Sequence, residues 1–562
     1  MRKLIILITA LTIILLGACN SESVPSSVIP PVIEEIASRD ALAEKSIENG
    51  SEALFNAQGG VSIENGIFMF KQGVWKNGEE EIHIDHPGET TLTAIYPAYS
   101  SDKTLITHHP YDNDTLQDVL IAQSKFSNET NIQLKFRHLF SRLTVRVHSS
   151  KAKSIDAVRI TAPKVTQIDS INGTITTAGE HTTLFSKNEA GVYSCMVPSL
   201  IDCPLTITFI LTSGNEVTRA LTHTFVSGHK YECHVNRPGI RTAEDLIDFS
   251  RLINGYQTYY GKTLDDFGEK IGDETVYRLL ADITLKPENC ELLSPIGDHS
   301  STPFYDIFDG QGHTIHNLIL LEKNTHLSYS GLFGHLDTRG IIKNLHLKKA
   351  FTTKSSACKY QGGIASNNNG TIMNCSVSGS TLYSLDKGFI GAIASMSSGT
   401  IINCHSTDNE FYIENETYGG GIAGSADKYI LNSYSFLNKF HTKTDAHQLG
   451  GIIGASITRN VLHIENCYTH YTYTIPSCWG SAIGLANKVD IQHFYRNKEN
   501  QNLYYGTAIN TTSSTTGRYD SKFLINSKHI STMLNEWIDS NKYSNYTFRR
   551  WKIADDGSAC FE

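Results

Sequence analysis

Three sets of side chains in this chain have types and spacing that could do chemistry. The first is a column of acids. Asp386, Asn415 and Asp445 recur at intervals of 29 and 30 residues. In a coil of that length the two aspartates would sit two turns apart, about 9.6 Å at ~4.8 Å per strand. That is near the upper limit for an inverting pair of carboxyl groups. The other acids do not line up. The same shift carries Asp427 to Ser398, Glu414 to Thr444 and Glu465 to no acid. The column lies in a variable stretch where such alignment arises by chance, so a solvated polar edge is the favoured reading. The second set is histidines with acids: His83, Asp85 and His86, then His108 and His109 with Asp112 and Asp114. These are metal-ligand types, but solvated loop residues are the better reading. His138, flanked by apolar residues, reads as a structural histidine that hydrogen-bonds a turn. The third set is cysteine. Eleven are present, with no CxxC spacing and no histidine pairing of the zinc kind. Cys195 and Cys203 are one candidate pair, and the connectivity is open. No HExxH, GxSxG or P-loop motif occurs. The expectation is a protein that is not an enzyme and needs neither metal nor cofactor.

What would position such residues is a repeat. Gly362-Gly363-Ile364-Ala365 returns as Gly391-Ala392-Ile393-Ala394, Gly420-Gly421-Ile422-Ala423 and Gly450-Gly451-Ile452-Ile453. A degraded copy starts at Gly480, and an early one is Ser330-Gly331-Leu332-Phe333. The intervals are 32, 29, 29, 30 and 30. A fixed period of this length marks a stack in which each unit buries its apolar face only against its neighbours. A second phrase carries Asn374, Asn403 and Asn432, each 29 apart, and Asn466, 34 further on. Asparagines at one position of successive coils form ladders that use both amide donor and acceptor. Beside them runs a column of Cys375, Cys404, Ser433 and Cys467, read as a packed polarizable stack. One coil per ~30 residues suggests a three-faced parallel β-helix of six rungs, rising roughly 29 Å. The glycines are read as tight bends where a Cβ is not tolerated.

The start of the chain points to a compartment. Arg2 and Lys3 precede an apolar run from Leu4 to Leu16. The run is too short to span a bilayer and has the length of a signal-peptide core. It ends in Leu16-Gly17-Ala18-Cys19, which resembles the bacterial lipobox, cleaved before Cys19, whose thiol is then acylated. This implies 1–18 as signal peptide and a lipid as the membrane anchor, palmitate among its acyl groups. Residues 19–45, rich in Ser, Pro, Glu and Ala, read as a flexible tether. Net charge is −9 without a basic stripe, which argues against nucleic acid as a partner.

Residues 46–237 read as all-β. Leu143-Thr144-Val145-Arg146-Val147-His148 alternates at period two, and short strands at such spacing imply a β-sandwich. Gly73-Val74-Trp75-Lys76-Asn77-Gly78, Leu92-Thr93-Ala94-Ile95-Tyr96-Pro97, Leu134 to Val145 and Gly228-His229-Lys230-Tyr231 together resemble phrases of the fimbrillin family of Bacteroidetes surface proteins. The resemblance implies two transthyretin-like sandwich lobes and a place in fimbriae. It also implies assembly by proteolytic removal of an N-terminal strand and its replacement by a neighbour's, which is β-augmentation. Arg39 is a candidate trypsin-like cut site. Some 325 residues follow this domain, which suits a tip or accessory position better than a shaft.

Residues 238–300 read as a bridge and N-terminal cap. Thr242 starts a helix whose apolar face is Leu246, Phe249, Leu252 and Ile253. From there the order Ala243-Glu244-Asp245-Leu246, Pro295-Ile296-Gly297, Phe308-Asp309-Gly310-Gln311-Gly312-His313-Thr314-Ile315-His316-Asn317-Leu318 and Gly331-Leu332-Phe333-Gly334 resembles adhesin domains built from GLUG-type repeats. The solenoid is placed at 301–500 and a C-terminal cap at 501–562. The whole reads as an all-β, surface-exposed, outer-membrane lipoprotein adhesin. Its solenoid would bind a host or bacterial surface glycan or protein. An exposed aromatic row would favour binding, with Tyr468, Tyr471 and Tyr473 near Trp479 as candidates. The competing expectations are a fimbrial subunit with the solenoid as spacer, and a β-helix polysaccharide-degrading enzyme.

Overall fold

The structure is a computed structural model. It describes residues 37–42, 47–59, 63–71, 74–77, 80–81, 89–98, 110–112, 115–126, 134–148, 154–169, 172–188, 190–320, 329–352, 359–443, 448–456, 460–471, 480–497, 505–509, 512–540 and 543–562. Cys19, the expected acyl site, thus lies outside it with the rest of the first 36 residues, as do His83, Asp85, His86, His108, His109, Asp114, Asp445, Tyr473 and Trp479. The chain divides into two units, 1–237 and 238–562.

In the first unit two four-stranded sheets face each other. One has the order Ala37–Ala41 (β1), His229–Val235, Ser141–Val147, Val192–Val197. The other has Ile175–Ser186, Ile155–Ile168, Cys203–Leu211, Glu216–His223. Alternation in the sequence makes this sandwich: Leu143, Val145 and Val147 turn inward, and Val158, Ile160, Leu205, Ile207 and Phe209 meet them from the opposite sheet. A seven-stranded sheet, from Glu52–Gln58 to Arg137–His138 in sequence, carries its own core around Phe55, Phe68 and Phe126, with Trp75 against it. The second lobe is therefore one larger sheet. Residues 37–41, taken above with the tether, are a strand. β1 pairs antiparallel with His229–Val235 at the edge of the sandwich, and Leu42 is buried behind it.

The second unit opens with helix α1 (Ala243–Ile253). Thr242 caps it: its hydroxyl accepts from Asp245 N at 3.1 Å, and Asp245 Oδ2 accepts from Thr242 N at 3.2 Å. Leu246 and Phe249 are fully buried, and the Phe249 ring meets Phe304 and Phe308 of the first coil at 6.4 and 5.9 Å. The helix closes an end that would otherwise expose apolar core.

Beyond it lies a parallel β-solenoid. Each coil contributes short strands to five ladders, where three faces were expected. The first ladder runs from Ile307–Asp309 through Ile341–Lys343, Thr371–Met373, Thr400–Ile402 and Tyr429–Leu431 to Leu462–His470, Val489–Asn497 and Thr512–Tyr519. The stack thus passes residue 500. The extra ladders exist because each coil bends at left-handed residues. Asn344, Asn374, Asn403, Asn432 and Asn466 have φ of 54°, 55°, 53°, 47° and 57°, and Lys349, Asp408 and Leu437 mark a second corner at 54–56°. Asparagine is among the few side chains that tolerate this region. The recurring glycines stand at or next to bends of a different kind, without a left-handed φ. A Cβ on Gly362, Gly391, Gly420 or Gly450 would lie 1.9, 2.2, 2.1 or 1.9 Å from the carbonyl oxygen three residues on, so each permits a close backbone approach. Gly331, Gly363, Gly421 and Gly451 are likewise crowded by neighbouring coils, and Gly480 bridges to Gly450.

Candidate functional site

Ile372 points inward, but the left-handed bend turns Asn374, two residues later, to the outside of the corner. There the amides connect. Asn374 donates to Asn344 Oδ1 at 2.9 Å, Asn403 to Asn374 at 2.8 Å, Asn432 to Asn403 at 2.7 Å and Asn466 to Asn432 at 2.6 Å. Asn344 donates to Asp309 Oδ1 at 2.9 Å, so the ladder begins two rungs before the sequence reading. The following Cys or Ser donates to the carbonyl two residues back: Cys375 to Met373, Cys404 to Ile402 and Cys467 to Glu465 at 3.2 Å, Ser433 to Leu431 at 2.8 Å. A small donor that serves the corner carbonyl explains why Cys and Ser interchange. The cysteines are free thiols. Burial pushes Cys467 up to about 12, and burial together with Cys404 pushes Cys375 up. A second ladder, which no single residue type marks in the sequence, runs inside the coil. Ser380 N donates to Asn409 Oδ1, and Asn409 N to Asn438 Oδ1, both at 2.9 Å with all three side chains buried.

The C-terminal segment, read above as a cap, packs on the last coils and on the flank of earlier ones. It forms a strap along the flank: helix α2 (Ile530–Asp539) and the hairpin Trp551–Ile553 with Ala559–Phe561. The strap reads the outer donors and acceptors of the asparagines. Asn403 Nδ2 donates to Thr547 O and Asn432 Nδ2 to Arg549 O, while Arg549 N and Trp551 Nε1 donate back to Asn403 and Asn432. Asn466 donates to Leu534 O. Trp551 and Phe561 then cover Tyr434 and Tyr468, and Trp537 and Phe548 cover Ile402 and Leu431.

The opposite side of the coil carries an open aromatic ladder. Tyr329, Tyr360, Phe389 and Tyr418 stack at 4.8, 5.9 and 5.0 Å, with ring planes 5–17° apart and each ring half-buried. They are register partners in the ladder Tyr329–Ser330, Tyr360–Gly362, Gly388–Gly391, Thr417–Gly420, Gln448–Gly450. Lys359, Lys387, Glu416 and Gln448 share a shallow groove with Tyr360, Phe389 and Tyr418. Lys387 Nζ lies 2.5 Å from Glu416, which holds the ammonium above its usual range. Both groups are exposed. Beside this groove Tyr383, Tyr412 and His441 stack at 5.0 and 4.4 Å. An inner ring of such a stack meets neighbours on both faces. Its edge and hydroxyl are what solvent sees, so the groove offers polar edges and charges to a ligand lying across the rungs.

The other sequence candidates fall as follows. Tyr468 and Tyr471 are 0% and 1% exposed, Tyr468 under the strap and Tyr471 in the interior of the solenoid, so they are no part of an exposed row. Cys195 and Cys203 are separate buried thiols. His138 Nδ1 pairs with Asp118 Oδ1 at 2.8 Å, at the edge of the seven-stranded sheet. Asp386 and Asn415 stand on neighbouring coils near the groove. Arg39 lies in β1 at the sheet edge.

Residues 45–247 match the family model described as Fimbrillin-like, so this stretch is a fimbrillin-like domain. No curated protein matches the chain. Among solved structures, a candidate immunoglobulin A1 protease from Bacteroides ovatus is 16% identical over 58% of this chain and 92% of its own, with a TM-score of 0.38. Candidate cell adhesion proteins from Bacteroides uniformis ATCC 8492 and Bacteroides ovatus ATCC 8483 are each 15% identical. They cover 34% and 35% of this chain and 88% and 84% of their own, with TM-scores of 0.27.

Proposed function

We propose that this protein is a surface-exposed adhesin of a fimbrial system, held to the outer membrane by lipid on Cys19. Its solenoid presents the Tyr360–Phe389–Tyr418 groove to a glycan or protein of a host or bacterial surface. The fimbrillin-like domain supports the fimbrial association. The observation that carries the binding role is the open groove. Three aromatic register partners and four polar side chains stay accessible on one flank while the strap covers the other. A GLUG-type repeat is part of this reading, and catalysis is not. A glycan array run with the full chain, together with a reducing-end assay, tests it. Retention of a glycan without release of reducing ends is expected, and loss of retention in Lys387→Glu places the ligand in the groove. Release of reducing ends would replace the reading with an enzyme.

A second reading, a structural subunit, is favoured by β1. It is an edge strand, its register shifts between Ser38 and Ala41, and Arg39 lies within it. Cleavage there would uncover the His229–Val235 edge for a neighbour's strand. Digestion with a trypsin-like protease, followed by size-exclusion chromatography, should then give oligomers that Arg39→Ala prevents.

A further inference from the structure

We propose that His463, Glu465 and Asp490 form a site for one divalent transition-metal ion, of the Zn²⁺ class, that pins the C-terminal strap to the solenoid. His463 and Glu465 are two apart on one strand and share its outer face. Asp490 is the register partner of His463 on the next coil. Their ligand atoms all lie within 4.8 Å of one another. His463 Nδ1 stands 3.5 Å from Asp490 Oδ2 and 3.8 Å from Glu465 Oε1.

Those gaps decide the reading. They are too long for hydrogen bonds, and the Nδ1 atom is buried with no hydrogen-bond partner. Metal bonds of about 2.0–2.2 Å set neighbouring ligand atoms roughly 3.0–3.5 Å apart, so His463 needs to close on each carboxylate by only a few tenths of an ångström, while the two carboxylates start within 4.8 Å of each other. An outer shell already orients the two carboxylates. Tyr543 O–H donates to Glu465 Oε1, and Gln492 Nε2 donates to Asp490 Oδ2, both at 2.6 Å. The His463 ring is fixed by stacking on Tyr429 at 5.2 Å. Two carboxylates, one of them fully buried, favour a cation between them. One imidazole with two carboxylates suits Zn²⁺ or Mn²⁺ better than the all-oxygen shell that Ca²⁺ or Mg²⁺ takes. Since Tyr543 belongs to the strap and touches a ligand, an ion here would hold the strap closed.

Calorimetric titration of the chelator-stripped full chain with ZnCl2, repeated with MnCl2, tests the site. One equivalent is expected to bind, raise the thermal midpoint and slow hydrogen exchange across residues 543–553. Asp490→Asn keeps shape and hydrogen bonding, and should lose that equivalent; His463→Ala should do the same. Tyr543→Phe should keep the stoichiometry and weaken binding about tenfold. A parent chain that takes up no ion overturns the proposal. So does an Asp490→Asn variant, folded by circular dichroism, that binds as many ions as the parent.

Discussion

The solenoid has two flanks built by one rule and finished differently. On both, each coil places an aromatic or amide side chain over its equivalent one rung below. On the strap side Tyr434 and Tyr468 stack at 5.0 Å, as Phe389 and Tyr418 do on the open side. The strap side is then closed by Trp551 and Phe561, while the open side keeps Lys359, Lys387 and Glu416 in solvent and Gln448 half-buried. Stacking alone therefore marks neither core nor binding surface. What lies over the stack decides, and that comes from residues some 120 positions away. A substitution on the covered flank should act on stability, and its counterpart on the open flank on binding.

The asparagine ladder gives the largest contrast, because it runs under the strap and out from it. Asn432 is fully buried and engages Asn403, Asn466, Arg549 and Trp551. Asn432→Ala strands several buried partners, each worth about 1–3 kcal/mol, and puts a Cβ residue without a helping side chain at φ 47°. A loss of about 4 kcal/mol is expected, read from thermal unfolding followed by Trp fluorescence. Asn374 has the same bend but is half-exposed, so water replaces its partners, and Asn374→Ala should cost about 2 kcal/mol. Asn374→Gly, which keeps the bend without strain, should be close to neutral. Equal losses at the two positions would remove the strap from the account.

Acid should loosen the covered flank first. His405 stacks on Tyr434 at 4.8 Å and meets Phe561, with His346 on its own ladder and Arg549 on the strap as its charged neighbours. Burial, then His346 and Arg549, push its pKa down to about 3 from an ordinary 6.5. The unfolded chain thus binds the extra proton between those values. The stability is fully present above pH 6.5 and drains away as the pH falls toward 3. The loss is about 2 kcal/mol at pH 5 from this group alone. Unfolding midpoints between pH 7.5 and 5 should show that slope in the parent chain and a shallower one in His405→Gln.

How much of this was readable follows from the same contrast. Within a coil, period carries the information: the glycines, the ladder from Asn374 to Asn466 and the Cys–Ser column all surfaced from a constant 29–34-residue spacing. Asn344 and Asp309 belong to the ladder, but Leu345 and Gly310 follow them in place of the Cys or Ser that follows the others, and Asp309 is not an asparagine. The inner ladder of Asn409 and Asn438 has a perfect 29-residue interval, yet its upstream member is Ser380, so no column of one residue type shows. The five-ladder coil was legible in principle, since asparagine at a fixed position is a left-handed corner signal. The misjudged tyrosines are different in kind. Tyr468 is buried by Trp551 and Ala559, and nothing local to Tyr468 records that. Likewise Glu465 found no partner at a shift of 29 or 30, because the last coils are shorter and Asp490 follows His463 by 27.

The smallest effect on stability should accompany the clearest effect on binding. Tyr418 ends the open stack, with Phe389 on one side and Gln448 as its next register partner. Tyr418→Ala removes one stacking contact, worth about 0.5–1.5 kcal/mol, from a half-exposed position. The thermal midpoint should therefore move by only a few degrees. The hydroxyl and ring edge that Tyr418 contributes to the groove would nevertheless be gone, and retention of a surface ligand should fall with it. Tyr418→Phe separates the two contributions, since it keeps the stack and removes only the hydroxyl. If Tyr418→Ala leaves retention intact while Asn432→Ala abolishes it, the recognition surface lies on the strap side, and the open ladder is a device for holding coils in register.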